Sequence, residues 1–140
     1  MTSCWERMNA EPRRAVPKVD ETDVPTEPGV YAFYHQGTPV YVGRAMTGRG
    51  LRDRVWKNHL ALDTDLSRSS FRRNVCEELG IAPTAITRQR PPQLRVEQVE
   101  VVNEWVRDCE VAWVTLGSAD EADKFERAIK LEWKPRLTKR

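Results

Sequence analysis

Two short strings, Gly29-Val30-Tyr31 and Tyr41-Val42-Gly43, restrict the fold of this chain more than any other feature of its sequence. The nine-residue spacer between them, Ala32 to Val40, contains the turn signal Gln36-Gly37-Thr38-Pro39 between runs rich in Val, Tyr and Phe. β-forming residues on both sides of such a turn predict a β-hairpin. We therefore expect the two tyrosines to lie on neighbouring strands.

Hydrophobic periodicity and helix-end signals predict the remaining elements. Apolar residues at helical spacing, with Ser or Gly near the ends, indicate helices at about 51–62, 69–79, 96–107 and 118–133. Strands are expected at 30–34, 38–43 and 111–116. This order predicts an α+β fold, with helices packed on a small sheet.

The first 27 residues differ from the rest of the chain. They are polar, carry Pro12, Pro17 and Pro25, and show no sustained period, which is typical of a flexible or loosely docked arm. One helical turn is expected near Trp5 to Met8. Residues 28–140 are expected to form the single domain of the chain, with a modest core.

Composition limits the classes of function. The formal net charge is only +2, so no overall field favours nucleic acid, but 17 of the 23 basic residues are Arg. The planar guanidinium binds phosphate oxygens in pairs, although a general bias toward Arg explains the count equally well. Three distant cysteines and two isolated histidines predict free thiols and no metal cluster of these residues. Because no apolar run has membrane-spanning length and no signal peptide is apparent, we expect a soluble cytoplasmic protein without a membrane partner.

Four side chains are candidates for chemistry, and each has an alternative structural interpretation. On a helical wheel, Glu126 lies at the margin of the core-facing stripe of the last helix, where a carboxylate needs a cation, a donor or a metal. A surface pair with Lys130 would satisfy it as well. Tyr31 and Tyr41 are also typical of packed strand aromatics. Arg54, near a helix start, could simply be solvated.

Taken together, these four residues suit phosphodiester hydrolysis. That reaction needs a base for water, cationic donors for the charge on phosphorus and help for the departing oxygen. A tyrosine is a base only if positive charge lowers its pKa from about 10. A lone carboxylate suits one Mg²⁺ that keeps much of its hydration shell. No second acid stands at an obvious partner position, which disfavours a two-metal site.

The motifs resemble those of the GIY-YIG nuclease superfamily over most of residues 28–138. Gly29 and Gly43 belong to the paired tripeptides that name the family. Leu51-Arg52-Asp53-Arg54-Val55 is similar to its arginine-bearing helix, and Glu126 followed by Pro135-Arg136 is similar to its metal-binding glutamate and trailing segment. The resemblance implies a central three-stranded antiparallel sheet flanked by helices. It also implies cleavage of DNA that depends on Mg²⁺ or Mn²⁺.

The same resemblance implies roles for individual residues. Tyr31 would be the general base and Tyr41 would position water and phosphate, although these two roles could be exchanged. Arg54 would stabilise the transition state and Glu126 would hold the metal. His59 would contact phosphate or the attacking water. Asn58 is the alternative, because the functional residue on this helix more usually lies four positions after the arginine in the family, and His59 lies five positions after Arg54. Thr138 stands where the family commonly has Asn.

Further basic residues are candidates for binding DNA. Arg44 and Arg52 lie close to the tripeptides and to Arg54. Arg72 and Arg73 belong to Ser69-Ser70-Phe71-Arg72-Arg73-Asn74, which opens a helix, and hydroxyls and arginines at a helix N-terminus suit a phosphate. An ordinary capped helix explains the same residues. The sequence thus predicts an endonuclease that takes its specificity from a further module or partner protein; the alternative is a DNA-binding module without turnover.

Overall fold

A sheet of four antiparallel strands forms the centre of the fold. The structure, a computed structural model, describes residues 3–139. The strands are β1 (Arg14–Ala15), β2 (Gly29–His35), β3 (Thr38–Ala45) and β4 (Cys109–Thr115). They lie in the order β1–β4–β2–β3, so that β3 forms an edge of the sheet.

Helices pack on this sheet, as expected for an α+β protein. Beside a π-helix at Arg52–His59 and short 3₁₀ turns at Val16–Lys18 and Glu21–Asp23, the α-helices are α1 (Cys4–Asn9), α2 (Ser70–Glu78), α3 (Thr84–Thr87), α4 (Val96–Arg107) and α5 (Ala119–Glu132). The predicted helix at 96–107 is confirmed with these bounds. Within residues 3–139, no helix has the length and apolar character needed to cross a membrane.

The expected number of strands was wrong, because the sheet has four strands and not three. The additional strand, β1, pairs Arg14 with Val111 and Ala15 with Glu110. A strand of two residues has no alternating pattern, since the sequence signal needs about four to eight residues. Its neighbours, Pro12 and Pro17, further obscure it.

The described part of the N-terminal segment, residues 3–27, packs against the rest of the molecule. Helix α1 is the helical turn expected near Trp5, and it buries Trp5 and Met8. The Trp5 indole donates a hydrogen bond to the Trp133 carbonyl at 2.8 Å. The Glu132 carboxylate accepts the backbone N–H groups of Cys4 and Trp5. These contacts fasten α1 to the end of α5.

The predicted hairpin is confirmed and sets the positions of the tyrosines. Gln36 and Gly37 form its two-residue turn with φ of 52° and 82°, the positive values that this class of turn requires. In the register of β2 and β3, Tyr31 is opposite Gly43 and Phe33 is opposite Tyr41. Alternate residues share a face, so Tyr31 and Tyr41 are diagonal neighbours on one face of the sheet.

The two faces of the sheet carry separate cores. Phe33 packs with Phe71 of α2 on one face, while Val30 packs with Ile129 of α5 on the other. Gly29 is tightly enclosed, since a Cβ at this position would overlap the Val114 carbonyl. Tyr31 belongs to the first core, whereas Glu126 lies on the helix that covers the second. Tyr31 and Glu126 therefore belong to different faces of the sheet and come together beside its β3 edge.

Candidate active site

A cleft of about 530 Å³ lies along the β3 edge of the sheet. The structure brings four of the sequence-predicted residues together in its lining: Tyr31, Tyr41, Arg54 and Glu126. They come from both hairpin strands, the π-helix and α5. Elements far apart in sequence thus converge on one open site.

Tyr31 lines the wall of the cleft and is only 2% exposed. Its hydroxyl lies 2.7 Å from His59 Nε2. Gly43 makes this placement possible, because a Cβ there would overlap the Tyr31 hydroxyl. Burial raises the pKa of Tyr31 well above its usual value, Tyr41 adds to the rise, and the charge of Arg54 opposes it. The resting side chain is therefore a neutral phenol.

His59 is fully buried beneath Tyr31 and does not line the cleft. Its Nδ1 is 2.7 Å from Ser69 Oγ, which also accepts the backbone N–H of Arg72. Burial lowers the pKa of His59 well below its usual value, and the nearby arginines lower it further. The neutral ring can donate from one nitrogen and accept at the other. His59 therefore lies behind Tyr31, and its full burial does not support direct contact with phosphate or the attacking water.

The π-helix explains the five-residue spacing between Arg54 and His59. In an α-helix of about 3.6 residues per turn, residues five apart point in different directions. A π-helix bonds each residue to the fifth one back, as in the 2.8 Å bond from Leu60 N–H to the Val55 carbonyl, and so brings such pairs to one side. His59, and not Asn58, thereby reaches Tyr31. Arg54 is exposed in the cleft and forms no ion pair within residues 3–139.

Tyr41 stands beside Tyr31 on the same wall. The two rings are stacked with centroids 6.3 Å apart. The Tyr41 hydroxyl lies 2.6 Å from Ser70 Oγ at the start of α2. Burial raises the pKa of Tyr41, while the Ser70 hydrogen bond and Arg54 act in the opposite direction. Tyr41 is thus also neutral at rest.

Glu126 is 7% exposed and already has cationic partners. Its Oε1 accepts a hydrogen bond from Arg44 Nη1 at 3.0 Å and lies 3.2 Å from Lys130 Nζ. The surface pair with Lys130, the alternative interpretation of this carboxylate, is therefore present. Arg44 also donates to Asp123 at 2.7 Å. The sequence reasoning missed Asp123, although its position three residues before Glu126 places both carboxylates on one helix face.

The tail after α5 braces the β3 edge. The Val42 N–H donates to Thr138 Oγ1 at 3.0 Å, and the Leu137 N–H donates to the Val40 carbonyl at 3.0 Å. Asn74 holds the tail from the other side through a 2.8 Å bond to the Leu137 carbonyl. Thr138 thus has a defined partner, and Asn74 supplies a bracing amide that the sequence reasoning did not identify.

The four arginines expected to bind DNA have different surroundings. Arg44 and Arg73 line the cleft. Arg72 is 1% exposed, and its guanidinium donates to the carbonyls of the loop at 61–65 and to Asn103, so its surroundings do not support contact with a phosphate. Arg52 donates to the Val24 carbonyl and does not line the cleft.

Among residues 3–139, no group of three or more His, Cys, Asp or Glu side chains is placed to hold a metal. The chain has no significant match to a protein-family model, a curated protein or a solved structure. A functional assignment consequently depends on the residues of the cleft and their chemistry.

Proposed function

We propose that this protein is a DNA endonuclease of the GIY-YIG type that hydrolyses phosphodiester bonds with one divalent metal ion. The observation that carries the proposal is the convergence of Tyr31, Tyr41, Arg54 and Glu126 in a single cleft. A neutral phenol that can exchange a proton, a cation without an acidic partner and a carboxylate are groups that this reaction needs.

Arg54 is suited to the charge that develops on phosphorus. Its guanidinium is exposed in the cleft without a carboxylate partner among the described residues, so a phosphate does not have to compete with an internal ion pair. An arginine can donate two hydrogen bonds to phosphate oxygens and so stabilise the anion that develops there. In this proposal Arg54 contacts the scissile phosphate.

Glu126 fits a magnesium or manganese site in which the substrate supplies some of the metal ligands. Mg²⁺ is commonly held by one or two carboxylates together with waters and phosphate oxygens, and a single glutamate suffices for that arrangement. When bound, the ion would neutralise phosphate charge and assist the departing oxygen. Arg44 and Lys130 both contact Oε1, whereas Oε2 has no partner among the described residues and would be the oxygen open to a metal.

Tyr31 is the better candidate for the base, because only its hydroxyl contacts His59. A raised pKa excludes a preformed tyrosinate. When Nδ1–H of His59 donates to Ser69, the unprotonated Nε2 accepts the phenolic hydrogen bond of Tyr31 and orients the phenol. The charge of Arg54, together with that of a bound metal, would lower the pKa of Tyr31, so that the phenol loses its proton to solvent and its oxygen can then take a proton from water. Tyr41, bonded to Ser70, would orient phosphate and water.

The alternative function is a DNA-binding module without turnover, dependent on other components for any cleavage. The contacts of Glu126 favour this alternative, because Arg44 and Lys130 already neutralise the carboxylate. Such a module needs the positive cleft but neither metal nor proton transfer.

A nicking assay on supercoiled plasmid with Mg²⁺ or Mn²⁺ separates the two functions. We expect cleavage by the parent chain, loss of cleavage in Glu126→Gln, and full cleavage in Asp120→Asn, which changes a carboxylate of the same helix that pairs only with Lys124. DNA binding without cleavage by any of the three proteins would support the binding module. If the parent chain neither binds nor cleaves DNA, both proposed functions are overturned.

A further inference from the structure

A second basic region lies on the wall of the cleft formed by α2 and α3. Arg73 and Arg88 both line the cleft there, beside Ser70. Neither arginine forms an ion pair within residues 3–139. Burial and the charge of Arg88 both lower the pKa of Arg73. Two arginines that line one cleft without an ion-pair partner are favourable sites for an anion.

The arginines differ in how firmly they are held. Arg73 Nη1 donates to the carbonyls of Leu66 and Ser67, which fixes the guanidinium, while Nη2 has no hydrogen-bond partner among the described residues. Arg88 is exposed at the end of α3, and its side chain makes no hydrogen bond to any residue of the range 3–139. A fixed donor and an adaptable one thus face the same space.

The acidic residues of the cleft do not neutralise this wall. Among residues 3–139, six basic and two acidic residues line the cleft, a local excess that the net charge of +2 conceals. Glu77, the nearer acid in sequence, accepts the Thr84 N–H and pairs with Lys139. Glu126 is occupied by Arg44 and Lys130. The charges of Arg73 and Arg88 therefore remain available to a ligand.

We propose that Arg73 and Arg88 form a second phosphate subsite, which binds a DNA phosphate next to the one that is cleaved. This inference rests on the proposed function, since it takes the scissile phosphate to lie at Arg54. Tyr41 lies 2.6 Å from Ser70 at the start of α2, and both residues line the cleft. The same cleft also contains Arg54, Arg73 and Arg88, so the two phosphate positions belong to one continuous cleft. Contacts to phosphate do not read bases, so the subsite fixes the register of the strand and not its sequence.

Binding of fluorescently labelled DNA, measured by anisotropy in EDTA at several salt concentrations, tests the subsite without requiring catalysis. We expect Arg88→Gln to weaken binding several-fold and to reduce the slope of log affinity against log salt by about one, because one phosphate contact fewer releases about one counterion fewer. Arg95→Gln is the matched control, since Arg95 is exposed and lies outside the cleft lining. Equal affinity and slope in the two variants would overturn the subsite.

Further arms separate the subsite from the nuclease function and from binding of free phosphate. An Arg88 effect on binding, together with a failed nicking assay, would support the subsite and remove the catalytic role. Cleavage by the parent chain with no Arg88 effect would overturn the subsite alone. Inorganic phosphate titrated at constant ionic strength should compete only weakly; saturation that prevents DNA binding at micromolar phosphate would identify a free-phosphate site and overturn the DNA assignment. Thermal unfolding of Arg88→Gln verifies that the variant is folded.

Discussion

The burial of His59 makes the stability of the fold depend on pH. In water a histidine has a pKa of about 6.5, and in this fold burial lowers the pKa of His59 far below that value. The unfolded chain therefore binds a proton below pH 6.5 that the native protein does not bind. The contribution of His59 to the free energy of unfolding is fully present above about pH 6.5, and it decreases as the pH falls toward the pKa of the folded state.

The variant His59→Gln tests this linkage. Between about pH 6.5 and 5, one proton accounts for up to about 1.4 kcal/mol of unfolding free energy per pH unit in the parent chain. Glutamine does not titrate, so the slope should decrease by this amount even if the variant is less stable at pH 8. Urea unfolding at a series of pH values measures the slope. An unchanged slope would mean that His59 takes up a proton in the native state.

Arg44 occupies the carboxylate that we assign to the metal, so its removal should favour metal binding. We expect Arg44→Gln to bind Mn²⁺ about two- to fivefold more tightly, the range for loss of a partly exposed ion pair. Calorimetric titration or the electron paramagnetic resonance signal of free Mn²⁺ measures the affinity. Arg127→Gln is the control, because Arg127 pairs with Asp123 and not with Glu126. Weaker binding in Arg44→Gln than in this control would contradict the competition.

At the scale of elements, the sequence predicted those elements whose residues follow a regular spacing, and it missed the irregular backbone of the π-helix. The hairpin and α4 follow from turn chemistry and periodicity, and both are confirmed. The π-helix could not be predicted, since residues 51–62 carry apolar residues at α-helical spacing. The family spacing of four residues left Asn58 as the alternative to His59, and an α-helical wheel could not resolve it, because it gives the wrong direction for a residue five positions on.

The C-terminal tail is an element whose contribution can be measured at one residue. In Thr138→Val the buried N–H of Val42 loses its acceptor, which should cost about 1–3 kcal/mol of unfolding free energy. Thr138→Ser retains the hydroxyl and should lose less. Urea unfolding of the two variants measures the difference. If both lose the same amount, the hydrogen bond to Val42 does not stabilise the edge strand.

At the scale of the whole molecule, the sequence predicted the α+β class and the meeting of the four cleft residues but not the contacts of residues 3–27. Those contacts are formed by very short segments: Trp5 packs on Trp133, and the two-residue strand β1 pairs with β4. Neither has a repeating pattern. The occupation of Glu126 by Arg44 was hidden for a related reason, since 82 residues separate the pair in the chain.

If these contacts join the N-terminal segment to the core, the protein should unfold as one unit. Trp5 is 8% exposed within the core on the α5 side, so Trp5→Ala should cost about 3–5 kcal/mol of unfolding free energy. Circular dichroism and tryptophan fluorescence should give the same midpoint in the parent chain. Leu131→Ala is the control, because Leu131 is 89% exposed and its loss should change stability by about 0.5 kcal/mol at most. A small effect of Trp5→Ala, with a separate early fluorescence transition in the parent chain, would show that the segment behaves as the loosely docked arm that its composition predicts.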